Sequence, residues 1–281
     1  MGIAAPFEPE KLICAVLYTD QAQADAALAV MREKYGDTDA VSSEYCFSDV
    51  SPYYDEEMHG RVYRRIVSFA ACRDPQELAE IKAFTNSLEQ QNAENLQRRF
   101  NLDPGFISPG RLSLATTKNA GHRIPLSDGI YAELTLFYAR GKWNAFPWTY
   151  MDFQREDVQA FLSDVRKIYM QQRKDAAAQA KHWTELLEEG KQVGLSIITD
   201  DGIFYVLAVQ KLDGRYLLYT DECPLNEAYF DRDTEHAVFY DDVSEMISQY
   251  IPRFGAKWED LGVSKGQKFF NPLLYMNQES E

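Results

Sequence analysis

Hydrophobic and polar positions in the first third of the chain predict alternating strands and helices. The continuous apolar run at residues 11–18 (KLICAVLY) is typical of a buried strand. Asp20 is a good helix N-cap, apolar residues then recur at helical spacing, and Gly36 closes the pattern. Shorter runs at residues 41–47 and 61–70 predict further strands.

A second helix is predicted to begin at Asp74, which is followed by Pro75 and, three positions on, by Glu77. Apolar residues at helical spacing continue this helix to Leu88. With a strand predicted at residues 110–117, the order becomes βαββαβ, which is the ferredoxin-like pattern. The predicted fold class is therefore α+β, with a ferredoxin-like core extended by an antiparallel meander and a helix.

The meander is predicted from strand-like runs separated by turn sequences at residues 119–121 and 127–129. Opposed positions in antiparallel pairing sum to a constant, so Thr117 is expected opposite Arg123, and Arg123 opposite Glu133. One sheet face would carry this polar row, and the other would pack on helices. The residues predicted on the apolar face are Leu114, Ile124, Leu126, Ala132 and Leu134.

The polar row has two interpretations. In the first, Arg123 and Glu133 form a cross-strand ion pair on a solvated sheet face. In the second, the row is the floor of a pocket, where Arg123 and Lys118 hold an anionic group and His122 or Glu133 moves a proton. The catalytic candidates are therefore His122 and Glu133, and the ligand-binding candidates are Thr117, Lys118, Arg123, Tyr131 and Asp103.

Asp103 belongs to an Asp-Pro-Gly sequence, which is first of all a turn signal. The carboxylate run at residues 55–57 is either solvated or a set of hard oxygen ligands for a divalent metal. Scattered histidines and the absence of a Cys-x-x-Cys pair argue against zinc. We predict no metal site and no cofactor.

The second half of the chain predicts a separate small α+β domain. The polar, alanine-rich sequence at residues 171–181 is typical of a helical connector. Three strand-like runs follow at residues 193–199, 203–211 and 215–220, and a last helix is predicted to begin at Asp242. The predicted domains are residues 1–172 and 189–281, joined by a connector at residues 173–188.

Composition narrows the classes of partner. The 281-residue chain has a formal net charge of −15, and both halves are acidic. A nucleic acid or an anionic membrane surface is therefore not an expected partner. The four cysteines form no close pair, and no apolar run is long enough for a membrane span. The first residues have neither the basic nor the apolar segment of a signal peptide, so we do not expect one. We expect a cytoplasmic protein with free thiols.

Several sequence motifs resemble one known family. In chain order they are KLICAVLYTD, YYDEEM, LAEIKAFTNSLE, NLDPGFISPGRLSLATTK, HRIPLSDGIYAELTLFY and FPWTY. Over residues 6–169 the chain resembles the bacterial domain-of-unknown-function 4416 family. The resemblance implies no established activity, and some members carry a GTP-binding label. The sequence ATTK at residues 115–118 is not a phosphate-binding loop, because it lacks the required glycines.

Three functions are compatible with these patterns. The first is an uncharacterised cytosolic protein that binds a small anionic ligand or a protein partner. The second is an enzyme that acts on a phosphorylated or carboxylated substrate, with His122 or Glu133 as general base. The third is a pure protein-interaction module, whose acidic second domain would be the docking surface.

Overall fold

The structure, a computed structural model, describes residues 7–93, 97–198, 203–224, 236–241, 261–263 and 269–271. The chain divides into two compact units. One spans Phe7–Gln172, and the other includes Arg173–Glu281. Among the described helices, none is both long and apolar enough to cross a membrane.

The first unit combines an antiparallel sheet with helices, which confirms the α+β prediction. Its elements are β1 Glu10–Tyr18, α1 Gln21–Tyr35, β2 Thr38–Val41, β3 Tyr45–Cys46, β4 Tyr63–Arg73, α2 Leu78–Gln91, β5 Phe100–Ile107, β6 Arg111–Thr116, β7 Arg123–Pro125, β8 Tyr131–Ala139, β9 Lys142–Ala145 and the first part of α3 Glu156–Glu188. The strand order is β2-β4-β1-β5-β6-β8-β7, with β3 paired to β4 and β9 paired to β8. The ferredoxin-like description of the core stays a prediction.

Local capping explains the first helix. The Asp20 side chain accepts hydrogen bonds from the backbone N–H groups of Ala22 and Gln23. At the other end Gly36 has φ of 88°, and its N–H donates to the Arg32 carbonyl oxygen at 2.9 Å. Both ends of α1 lie where the sequence predicted them, because capping depends only on neighbouring residues.

The predicted meander order is wrong in one respect. Strand β6 pairs with β8, and β7 pairs with the opposite edge of β8. Thr117 therefore does not face Arg123, whereas the predicted pairing of Arg123 with Glu133 is confirmed. Pro125 lacks a backbone donor, so the short β7 lies at the sheet edge, and the apolar β6 occupies the inner position.

The predicted apolar face is also partly wrong. Leu114 pairs directly with Glu133, so both side chains lie on the same face of the sheet. Ile124, on edge strand β7, and Leu126, just after it, are 58% and 44% exposed. Ala132 alone of this group packs against the core on the other face.

Two apolar layers enclose the sheet. On the face covered by α1 and α2, the core includes Leu12, Val16, Leu28, Met31, Phe69, Ile81, Leu102 and Phe106. On the face covered by α3, it includes Ile13, Ala15, Ile66, Leu112, Leu136, Phe153, Leu162 and Val165. Successive residues of β1 alternate between these layers, as the period of two in a strand requires. The sheet is therefore buried on both faces along its centre.

The second unit contains an antiparallel five-stranded sheet. Its strands are β10 Val193–Ile198, β11 Ile203–Leu212, β12 Arg215–Pro224, β13 His236–Tyr240 and β14 Gly262–Val263, in the order β13-β12-β11-β10-β14. The predicted strands in this half are confirmed. Asp213 and Gly214, with φ of 48° and 84°, form the tight turn between β11 and β12. The helix predicted from Asp242 lies outside the described residues.

Candidate functional site

The candidate site lies where the first sheet opens between β5 and β6. These strands share only three residue pairs. At one pair Gly105 lies so close to β6 that an added Cβ would come within 2.4 Å of the Ser113 carbonyl oxygen. The neighbouring residue, Pro104, has no N–H with which to continue the ladder. The two strands separate beyond this point.

Side chains of α2 replace the missing strand partner. Lys82 Nζ donates to the Leu102 carbonyl oxygen at 2.7 Å, and the Leu102 N–H donates to Glu89 Oε1 at 2.7 Å. Lys82 and Glu89 are two helical turns apart, so both lie on the buried side of α2. The backbone N–H and C=O of Leu102 on this open edge are therefore satisfied although no strand pairs with β5 there.

The opening forms a cleft of about 550 Å³ within the first unit. Its charged lining residues are Arg64, Lys82, Arg98, Lys118, Asp103, Asp152 and Glu133, and its aromatic ones are Phe47, Tyr53, Tyr54, Tyr150 and Phe153. This volume lies within the range of small-molecule pockets, which is roughly 300–1,000 Å³. The cleft therefore combines the size of a ligand site with charged walls.

One wall is built around a buried arginine. Arg64 on β4 forms an ion pair with Asp152, and both side chains are almost fully buried. Its guanidinium lies 4.9 Å from the Phe153 ring centre and 3.9 Å from the Asp103 carboxylate. Arg64 Nε has no hydrogen-bond partner among the described residues. This arginine thus keeps one buried N–H donor unused.

The turn predicted at the Asp-Pro-Gly sequence is wrong. Asp103 lies inside β5, which continues through this sequence and pairs antiparallel with β1. Its carboxylate contacts Lys82 Nζ at 3.2 Å and accepts from Asn101 Nδ2 at 2.8 Å. Burial raises the pKa of the Asp103 carboxyl, but Lys82 and Arg64 outweigh this effect and hold the pKa below its usual value. Asp103 is therefore an ionised anchor for two cations.

Arg98 connects the cleft to the loop at residues 55–57 through hydrogen bonds to Glu57. It donates to Glu57 at 2.6 and 3.1 Å, to Glu89 at 2.8 Å and to Asn101 Oδ1 at 2.6 Å. In the carboxylate run at residues 55–57, Asp55 accepts from Ser48 at 2.6 Å, so two of the three carboxylates have protein partners. Among the described residues no cluster of metal-ligating side chains occurs.

Glu133 on β8 lines the opposite wall and is 1% exposed. Its Oε2 accepts from Arg123 Nε at 2.7 Å and lies 3.2 Å from His122 Nε2. Its Oε1 has no hydrogen-bond partner among the described residues. The His122 ring stacks on Trp148 with ring centres 4.9 Å apart. His122 and Arg123 therefore hold one oxygen of Glu133 and leave the other unused.

The cleft brings some of the predicted site residues together and not others. The lining includes Asp103, Thr117, Lys118 and Glu133, whereas His122, Arg123 and Tyr131 are not among the lining residues. His122 and Arg123 lie behind Glu133, and Tyr131 pairs with Thr116 at the end of β6. Asp103, Thr117, Lys118 and Glu133 can therefore contact a ligand directly. His122 and Arg123 instead contact Glu133 and hold its carboxylate in position.

Sequence reasoning missed Arg64, Lys82 and Asp152. A signal existed for Lys82, because it falls on the apolar stripe of α2, where a solvated lysine is not expected. Arg64 gave no such signal, because Arg65 and Arg73 lie on the same strand. Its pairing with Asp152, 88 positions away, had no local signal.

The lowered pKa of Asp103 predicts a pH effect on stability. Because the folded pKa lies below the usual 3.8, this group's contribution is present above pH 3.8 and is lost as pH falls towards the folded value. We expect the Asp103→Asn variant to lose less stability than the wild type over that acidic window. Urea unfolding of the full chain between about pH 2 and about pH 5 measures this.

Asp164→Asn is the matched control, because Asp164 is exposed and its ion pair is with Lys167 on the same helix. This control should follow the wild-type pH dependence. An Asp103→Asn curve parallel to the wild-type curve would contradict the prediction.

Comparisons with known proteins agree with the motifs in the sequence. Residues 8–169 match the profile of a family described as a domain of unknown function (DUF4416). This stretch is more than half of the 281-residue chain and lies within the unit that holds the cleft. No curated protein and no solved structure gives a significant match. The expected resemblance is confirmed, and the chain belongs to the DUF4416 family.

Proposed function

We propose that this protein binds a small anionic ligand in the cleft between β5 and β6. The observation that carries the proposal is Lys118, an exposed lysine of the cleft lining. Its ammonium lies 5.1 Å from the Tyr53 ring centre, and no described carboxylate forms an ion pair with it. By contrast, Arg64, Lys82 and Arg98 each contact a carboxylate of the protein.

An unpaired lysine at a cleft is well suited to an anion. The ammonium group supplies three donors, and a bound phosphate or carboxylate would accept from it in a charge-assisted hydrogen bond. Thr117 and Ser51, which also line the cleft, add hydroxyl donors. In a chain of net charge −15, these groups offer an anion a local attraction that the acidic surface elsewhere does not.

The aromatic part of the lining favours an organic ligand over a free ion. Tyr53 and Met151 are 66% and 69% exposed although they line the cleft. A ligand that covers exposed apolar surface at a cleft lowers the free energy of the complex, because this surface is removed from water. Burial raises the pKa of the Tyr54 phenol, so its hydroxyl remains protonated and is a further donor. The ligand would thus have an anionic group and an apolar or planar body.

The enzyme alternative ranks second. His122 is not among the lining residues, and its Nε2 is engaged with Glu133. A general base must reach the proton that it removes. This alternative therefore rests on Glu133, the lining carboxylate with an unused oxygen.

Binding by the Lys118→Met variant tests the proposal. We expect at least one phosphorylated or carboxylated compound in a screen to bind the full chain. The variant should bind it about tenfold or more weakly, because a hydrogen bond to a charged group is lost. Calorimetric or NMR titration measures the dissociation constants.

Lys167→Met is the matched control, because it removes a lysine from α3 that does not line the cleft. Its affinity should equal that of the wild type. Binding that survives Lys118→Met, or the failure of every anionic compound to bind, would contradict the proposed function.

A further inference from the structure

Besides the Lys118 ammonium, the cleft has another polar group without a hydrogen-bond partner among the described residues, which is Glu133 Oε1. This oxygen limits which ligands fit the cleft. Both described side-chain contacts of the Glu133 carboxylate, from Arg123 and from His122, are made by Oε2. Oε1 is buried and has no partner among the described residues. A buried carboxylate oxygen without a donor costs free energy, because its lost hydration is not replaced. A ligand that supplies a donor removes this cost.

One guanidinium holds Glu133 beside the backbone of Lys118. Arg123 donates to Glu133 Oε2 at 2.7 Å, to the Lys118 carbonyl oxygen at 2.9 Å and to the Tyr150 hydroxyl at 2.9 Å. Because a guanidinium is planar and rigid, these three acceptors are held around a single group. Lys118, Glu133 and Tyr150 all line the cleft. The Lys118 backbone and the Glu133 carboxylate therefore lie on one wall of the cleft, and the Lys118 side chain starts from that wall.

We infer that the ligand carries a hydrogen-bond donor, an amino or hydroxyl group, close to its anionic group, and that Glu133 Oε1 accepts from this donor. The inference rests on the proposed function, since it assigns the second contact of the same ligand. It makes Glu133 a specificity residue. A site that contains a buried acceptor rejects an analogue without the donor, because the acceptor then stays unpaired.

A purely structural role for Glu133 is the competing explanation. In that case Glu133 is only the counterion of Arg123, and its loss weakens every ligand equally. The Glu133→Gln variant separates the two roles. Its amide oxygen must face the donors of Arg123, so its NH₂ group takes the place of Oε1. The variant keeps the shape of the side chain and replaces the acceptor with a donor.

The test uses three small probes that differ in one group: 2-aminoethyl phosphate, 2-hydroxyethyl phosphate and ethyl phosphate. Ligand-detected NMR titration of the full chain gives the three dissociation constants. We expect both donor-bearing probes to bind the wild type about tenfold more tightly than ethyl phosphate does. In Glu133→Gln the preference for 2-aminoethyl phosphate should fall to about one or below, because its ammonium cannot accept from the new amide NH₂. The hydroxyl of 2-hydroxyethyl phosphate can accept from that NH₂, so its preference need not disappear. Lys118→Met should weaken all three probes by a similar factor.

The outcomes distinguish the two proposals. Equal affinity of the three probes for the wild type, with weaker binding in Lys118→Met, would overturn the donor inference and support the anion site. A preference for 2-aminoethyl phosphate that survives Glu133→Gln would overturn the assignment to Glu133. Equal weakening of all probes in Glu133→Gln would support the purely structural role and overturn the inference. Failure of all three probes to bind the wild type would overturn the donor inference, and the proposed function is overturned as well only if every other anionic compound in the screen also fails to bind.

Discussion

In the Asp152→Ala variant, the unit Phe7–Gln172 is expected to lose roughly 3–5 kcal/mol of unfolding free energy. Asp152 is the buried ion-pair partner of Arg64, and it also accepts from the Tyr45 hydroxyl at 3.4 Å. Truncation leaves the Arg64 guanidinium buried with Asp103, 3.9 Å away, as its remaining carboxylate. Hydrogen exchange of β1 and β4 amides, followed by mass spectrometry, measures the loss within this unit.

Two further variants make this prediction specific. Asp164→Ala removes an exposed carboxylate from α3 and should leave the exchange of β1 and β4 unchanged. The double variant Arg64→Met/Asp152→Leu removes both charges, and it should recover most of the stability, because no unpaired charge then remains in the core. If the double variant is as unstable as Asp152→Ala, packing and not charge is the cause.

The Gly105→Ala variant is expected to lose about 3 kcal/mol of unfolding free energy. The new Cβ would lie 2.4 Å from the Ser113 carbonyl oxygen and 2.6 Å from Leu114 Cδ2. Backbone cannot move away as a flexible side chain can, so the few hydrogen bonds between β5 and β6 must lengthen. Faster hydrogen exchange in β6 is the measurement, and weaker binding in the cleft is expected with it.

Gly110→Ala is the control, because nothing lies within 4 Å of a Cβ at Gly110 and its φ is not positive. It should keep the wild-type exchange rates. Wild-type exchange in the Gly105→Ala variant would show that β5 and β6 tolerate a wider spacing than the structure has.

Local rules predicted the parts of the fold that depend on near neighbours. The limits of α1 follow from Asp20 and Gly36, and the pairing of Arg123 with Glu133 follows from a short turn. The pairing expected for Thr117 was wrong because β6 and β7 do not pair with each other. They pair with opposite edges of β8. Turn sequences do not specify which edge the preceding strand takes, and burial of the apolar β6 decided it.

The site was predictable only where its residues are close in sequence. Lys118 and Glu133 were found because both belong to one compact stretch of polar residues around short strands. The opposite wall combines β4, α2, β5 and the segment around Asp152, which are brought together by tertiary packing. A lysine on the apolar stripe of α2 marked Lys82 as unusual, but its partners Leu102 and Asp103 follow only from the fold.

The contact between α2 and β5 has a consequence for association between chains. An uncovered strand edge is a template on which a strand of another molecule can add, and this is a common route to aggregation. The opening of the sheet would create such an edge at Leu102. Because Lys82 and Glu89 already occupy its carbonyl and N–H groups, an incoming strand finds no free partner at that residue. At Leu102 the sheet can therefore open into a cavity without leaving backbone groups on which a strand of another molecule could pair.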